Sequence, residues 1–202
     1  MLKIIPLGGL GEIGLNMMVI EYEDSLFVID SGLMFPEDYM LGVDYVIPDM
    51  NYIKANRSKV TGIVLTHAHE DHIGGLPYLL KDVAVPVFGT PFTLGVVRHK
   101  LEEHDLLGLA SLHPIHPNET LKIGPFELDF IRVNHSVVDG IALAIEQNDA
   151  VGHLVGPLRA QRVQPPGLNI QGYPCIDALW NANPSLRAVL VRLAFLCAGA
   201  RC

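Results

Sequence analysis

Ten consecutive residues hold most of the chemistry this chain can offer: Thr66-His67-Ala68-His69-Glu70-Asp71-His72-Ile73-Gly74-Gly75. Three imidazoles and the Asp71 carboxylate fall within six positions, directly after an apolar run. Imidazole and carboxylate are the ligands that hold Zn²⁺ or Mn²⁺. The end of a strand presents alternate residues on one side, so His67 and His69 can share one ion. Asp71 and His72, where the chain turns into a helix, can face a second. A histidine-rich surface loop is the bland alternative, and the metal-ligand spacing weighs against it. Gly74-Gly75 suits the metal reading, because small residues let a helix N-terminus sit close to the site.

Two outlying residues join this set. His135, in Val133-Asn134-His135-Ser136, sits at the end of a second predicted strand, where it could complete a three-histidine ligand set. Asp30 closes the apolar strand Phe27-Val28-Ile29 ahead of Ser31-Gly32. It reads either as an Asx-turn cap or, the favoured alternative, as a carboxylate that orients a ligand-bearing loop from behind.

The elements that must position these residues follow from hydrophobic periodicity. Residues 2–7, 16–22 and 25–30 have strand character, with Glu23-Asp24 as a hairpin turn. Residues 60–66 form a short buried strand leading into the histidine cluster. Ile73, Leu76, Leu79 and Leu80 then predict a helix over 73–81. A strand over 83–88 precedes a helix from Pro91 to about Leu107, with Phe92, Val96, Val97 and Leu101 on one face. Strands return at 121–123, 126–133 and 141–145, with Gly124-Pro125 as a turn and 134–140 as a loop. The expected fold class is α/β (α+β).

Composition bounds the rest. With 202 residues and 50% hydrophobic content the chain can bury one sizeable core. A net charge of −8 argues against a broad phosphate-binding surface, so any nucleic-acid contact must be local. The absence of a long apolar run or a leader-like start predicts a cytoplasmic protein with no membrane contact. Cys175, Cys197 and Cys202 are odd in number and confined to the C-terminal end, unlike a disulfide framework. Composition breaks near residue 147. Residues 1–146 hold six Lys, three Arg, ten Glu and ten Asp, a formal charge of −11, whereas 147–202 hold five Arg, two Asp, no Lys and no Glu, a charge of +3. The expectation is a body over 1–146 and an atypical tail over 147–202, for which a shifted reading frame is one hypothesis. Around Leu186–Ala198 the tail has helical spacing, while Pro165-Pro166, Pro174 and Pro184 punctuate what precedes it.

The motif residues also carry a resemblance. THAHEDHIGG resembles the H-x-H-x-D-H signature of the metallo-β-lactamase superfamily, with VIDSG and VNHS resembling its flanking motifs. LGGLGEIGLN, GLMFPEDYMLGVDYVIPD, HEDHIGGLPYLL and RHKLEEHDLL are similar to ribonuclease J, a bacterial RNA-processing group, across essentially all of residues 1–146. The resemblance implies an αββα sandwich, incomplete here, with 1–146 as the N-terminal half of the metal domain. It implies two metal ions, Zn²⁺ or sometimes Mn²⁺, with His67, His69 and His135 on one and Asp71 and His72 on the other. It further implies RNA cleavage, endonucleolytic and from the 5′ end, by a metal-activated hydroxide that Asp71 orients, in proteins that are homo-oligomers.

Departures from the family pattern are equally specific. No Gly-Asp motif supplying a bridging aspartate follows residues 141–145; Asp149, His153 and Asp177 lie in unrelated contexts. The RNA-cleft domain and the C-terminal dimerisation domain of the family are not recognisable. The expectation is therefore weak metal binding and little or no cleavage by the chain as given. A small-molecule hydrolase of the glyoxalase II type, or a non-catalytic metal-binding fragment, are the competing readings.

Three further signals are assigned no chemistry. Gly8–Gly14 lacks the register of a phosphate-cradling loop and reads as a turn. His104, His113 and His116 read as a solvated face. Phe35-Pro36-Glu37-Asp38 and Asp44 lie in a loop that could border the cleft or be a solvated turn.

Overall fold

The computed structural model describes residues 2–147 and 150–155; the tail helix expected around 186–198, the proline-punctuated stretch, the cysteines, Asp149 and Asp177 lie outside them. Strand β1 (Leu2–Gly8) pairs antiparallel with β2 (Met17–Tyr22), and β2 with β3 (Ser25–Ile29). The chain then crosses to parallel strands: β4 (Val60–Val64), β5 (Pro86–Gly89) and β6 (Ser111–Pro114) extend the sheet in that order. The connections carry the helices α1 (Asn51–Ala55), α2 (Glu70–Ile73), α3 (Leu76–Asp82) and α4 (Pro91–Glu103). A second, antiparallel sheet has the order β10-β9-β8-β7, from β7 (Thr120–Ile123), β8 (Phe126–Arg132), β9 (Ile141–Gln147) and β10 (Ala150–Val155).

Alternation along the central strands explains the layering. Leu26 and Val28 of β3, with Met17, Val19 and Ile63, pack against Ile53, Leu76, Leu79, Leu80, Val97 and Leu101 of the helices. Phe27 and Ile29, one residue out of phase, join Ile20 and Val64 against Phe126, Leu128, Phe130, Leu143 and Ile145 of the second sheet. Phe27 and Phe126 meet edge to face across this seam, with centroids 5.0 Å apart. The centre of the first sheet is therefore buried on both faces, between helices and a second sheet, and its strands β3 and β4 read as nearly continuous apolar runs.

Several elements differ from the sequence expectation. The predicted 73–81 helix is two short helices, because Gly74 and Gly75 interrupt it where Gly75 N–H donates to the Ser31 carbonyl at 2.7 Å. Strand β5 starts at Pro86, since Val83 caps the end of α3. Strand β6 was not expected: it is an edge strand with largely exposed side chains, held by parallel pairing to β5 rather than by an apolar pattern. Beyond the predicted end of the strand at 145, β9 runs to Gln147 and pairs antiparallel with β10.

One buried acid anchors the outer hairpin. Glu21 is 4% exposed, accepts from Lys3 Nζ at 2.7 Å and also accepts from the Tyr52 hydroxyl of α1. These two donors, Lys3 first, hold its carboxyl below the ordinary value of 4.5. A depressed folded pKa contributes stability that is complete above the unfolded value and is lost as pH falls through the folded one. The stability difference between the wild type and Glu21→Gln is expected to shrink as pH drops below about 4.5, measured by urea unfolding across the acid range; a difference that grows on acidification would contradict the pairing.

Candidate metal centre

The site forms where the two sheets meet at the C-terminal end of β4. After Val64 the chain leaves the sheet, and the segment 65–69 leads into α2 with His69 extended at φ −73°, ψ 147°. His135 arrives from the second sheet, on the loop joining β8 to β9. That loop is closed by Val133 N–H to Gly140 C=O at 3.0 Å, and Ile141 N–H donates to the Thr66 carbonyl at 3.0 Å, tying the second sheet to the histidine segment.

His67, His69 and His135 converge. His69 Nδ1 lies 3.1 Å from His67 Nε2 and 3.1 Å from His135 Nε2. A neutral imidazole nitrogen carries one in-plane lone pair or one proton, so His69 Nδ1 cannot satisfy both neighbours by hydrogen bonding alone. An ion shared by all three lone pairs can. Two donors about 2.0–2.1 Å from a tetrahedral ion lie roughly 3.3–3.4 Å apart, close to the separations found. These three residues form a group that could hold a metal ion.

Tautomers are fixed from behind. Asp30 adopts a left-handed conformation (φ 59°), which aspartate tolerates better than most residues. Its Oδ1 accepts from Thr66 N–H at 2.8 Å, and its Oδ2 accepts from the Thr66 hydroxyl at 2.8 Å and from His72 Nδ1 at 2.7 Å. A carboxylate only accepts, so His72 Nδ1 carries the proton and Nε2 carries the lone pair. Thr66 Oγ1, having given its proton to Asp30, accepts from His67 Nδ1 at 2.9 Å, which leaves His67 Nε2 as a donor to a metal. His69 Nε2 lies 3.3 Å from Ser136 Oγ, again leaving Nδ1 inward. Burial pushes the fully enclosed His67 ring down to about 2, and the neighbouring rings of His72, His135 and His69 add to the effect, since a proton on His67 would be repelled by one on any of them. The ring is neutral at ordinary pH.

Asp71 and His72 lie beside this cluster. The His67 and His72 rings are 4.0 Å apart, and Asp71 Oδ2 is 3.6 Å from His72 Nε2. All six residues singled out from the sequence, Asp30, His67, His69, Asp71, His72 and His135, are thus brought to one place. Sequence reasoning missed Thr66, whose hydroxyl links Asp30 to His67, and Asn16, which reaches Asp71 from the opposite loop. A hydroxyl residue ending an apolar strand was a signal for Thr66; Asn16 offered none. His104 packs against Tyr78, and His113 beside Phe88 and Ser111, away from the cluster. In the glycine loop, Gly9 N–H donates to Glu12, as a turn would. Phe35, Glu37, Asp38 and Asp44 are exposed.

Comparisons with known proteins agree with this geometry. A family model described as the metallo-beta-lactamase superfamily matches residues 10–159. Ribonuclease J of Helicobacter pylori (strain ATCC 700392 / 26695) is 48% identical over 145 residues, 71% of this chain and 21% of that protein. Ribonuclease J of Thermus thermophilus is 47% identical over 150 residues, covering 71% of this chain and 26% of that protein. Ribonuclease J2 of Bacillus subtilis strain 168 is 40% identical over 167 residues, 83% of this chain and 30% of that one. The chain thus spans between a fifth and a third of the length of these curated relatives. Among solved structures, human tRNase Z, short form, superposes with a TM-score of 0.54 at 14% identity, over 76% of this chain and 68% of that chain. The metallo-beta-lactamase fold protein YhfI from Bacillus subtilis gives 0.53 at 17% identity, over 76% and 61%. Among the described residues no helix is long and apolar enough to cross a membrane. The family model matches most of the chain, on a fold its structural neighbours share: the chain belongs to the metallo-beta-lactamase superfamily.

Proposed function

We propose that this chain is the metal-binding portion of a ribonuclease J-type hydrolase acting on RNA phosphodiesters, with 1–146 as the N-terminal half of its metal domain and 147–202 as an atypical tail that begins within the β9–β10 pairing. The observation that carries this reading is the convergence of His67, His69 and His135 on one point, within a segment nearly half identical to ribonuclease J. His67, His69 and His135 would hold one ion, and Asp71 and His72 a second; an all-nitrogen set suits Zn²⁺, and the carboxylate-bearing pair also suits Mn²⁺. Bound ions would lower the pKa of water towards ~7 and neutralise charge developing on phosphate oxygens. Asp71, 38% exposed at the mouth of the site, orients the attacking water. Asp30 keeps the Nε2 atoms of His67 and His72 turned inward. Endonucleolytic and 5′-exonucleolytic cleavage and homo-oligomeric assembly are proposed of ribonuclease J-type proteins as a whole, with little or no cleavage by this chain as given, and a cytoplasmic setting belongs to the same proposal.

Among the described residues the second pair offers two donors where tight sites use three or four, which favours weak affinity there and gives the non-catalytic metal-binding reading its support. The test is cleavage of 5′-monophosphorylated RNA alongside a thioester, each with Zn²⁺ and with Mn²⁺, together with calorimetric zinc titration. Weak RNA cleavage with no thioester hydrolysis is the pattern expected of the chain as given; thioester hydrolysis alone would replace the reading with a small-molecule hydrolase. Metal binding with neither activity would leave a metal-binding fragment. Two sub-micromolar zinc sites would overturn the expected weakness of the second pair.

A further inference from the structure

We propose that Asn16 is the positioning residue for Asp71, an assignment that rests on the reading of Asp71 and His72 as metal donors. Both amide hydrogens of the Asn16 side chain go to one residue: Nδ2 donates to the Asp71 carbonyl at 3.0 Å and to Asp71 Oδ2 at 3.0 Å. One planar group thereby fixes the main chain and the carboxylate of Asp71 relative to each other. The oxygen it holds is the one facing His72 Nε2 at 3.6 Å. A carboxylate oxygen accepts at two positions, so the bond from Asn16 leaves the other for an ion shared with His72.

Asn16 is itself held rigidly. Its N–H donates to the Asp71 carbonyl at 3.0 Å, and its own carbonyl accepts from Gly32 N–H at 2.9 Å. It directly precedes β2, and a side chain at Gly9 would come within 2.7 Å of its Oδ1. The glycine loop that the sequence offers as a mere turn is thus the floor beneath the Asn16 amide, at a position where φ is +80°. Asp71 is more than a third exposed, so the amide supplies the orientation that burial supplies to His67.

The experiment is zinc calorimetry and Co²⁺ visible spectroscopy on the full chain as wild type, Asn16→Ala, Asp71→Ala and the double variant. In the wild type the three-histidine component and a weaker Asp71/His72 component are expected. Asn16→Ala should weaken only the second, by roughly 10-fold or more, and alter its cobalt absorption bands. In the Asp71→Ala background, Asn16→Ala should change metal affinity no further. Equal weakening of both components, or an undiminished effect without the Asp71 carboxylate, would overturn the proposal in favour of a general structural role. An unchanged second component in Asn16→Ala would overturn it outright. A wild type lacking any second component would instead overturn the reading of Asp71 and His72, and the role of Asn16 with it.

Discussion

Gly32→Ala is expected to destabilise the protein by about 3 kcal/mol or more, at the upper end of what overpacking costs, and to weaken metal binding, most at Asp71 and His72. A Cβ at Gly32 would lie 1.7 Å from the Asp71 carbonyl oxygen, 2.2 Å from its carbonyl carbon and 2.9 Å from Asn16 N. All three are backbone atoms, so no side chain can move aside. The loop must separate from residues 70–72 and give up the bonds that hold them, Ser31 N–H to His72 C=O at 2.7 Å and Leu33 N–H to Glu70 C=O at 3.0 Å, along with Gly32 N–H to Asn16 C=O at 2.9 Å. Because the donors Asp71 and His72 ride on that segment, stability and affinity should fall together. Urea unfolding and zinc titration measure both, and a variant within ~0.5 kcal/mol of wild type, the range of an ordinary surface change, would contradict the need for a bare backbone at residue 32.

Asp30→Ala should have the second largest effect. It strips the acceptor from Thr66 N–H, the Thr66 hydroxyl and His72 Nδ1 at once, and each buried donor left unsatisfied costs about 1–3 kcal/mol. Removing the cost of burying the carboxylate offsets part of this, so a net loss of about 2–4 kcal/mol is expected. Metal affinity should drop about 10- to 100-fold, as for other partners that orient metal-bound histidines. Asp30→Asn tolerates the same backbone conformation but retains one acceptor oxygen for three donors, so it should fall between the wild type and Asp30→Ala. Nitrogen chemical shifts of the His72 ring report its tautomer, and an Asp30→Ala protein that keeps both that tautomer and its zinc affinity would remove Asp30 from the site.

The histidine cluster was legible because its donors are adjacent in sequence, and a strand running into a helix places them without help from elsewhere. His135 was legible for a related reason: a strand end aims a residue at a predictable edge. Asn16 was hidden because it meets Asp71 across 55 positions, through two loops whose approach depends on Gly32 lacking a side chain. Local periodicity also blurred the break in the 73–81 helix. Ile73, Leu76, Leu79 and Leu80 face one core on both sides of Gly74-Gly75, so the apolar pattern continues where the backbone does not. Edge strand β6 escaped notice because pairing, rather than burial, forms it.

Of the three converging rings, two hang from the parallel strands and the third from the antiparallel sheet, so an ion gripped by all of them would staple the halves of the sandwich together. Heat resistance would then rise with dissolved zinc, by RT ln(1 + [L]/Kd), and a chelator would loosen the joint without breaking a covalent bond.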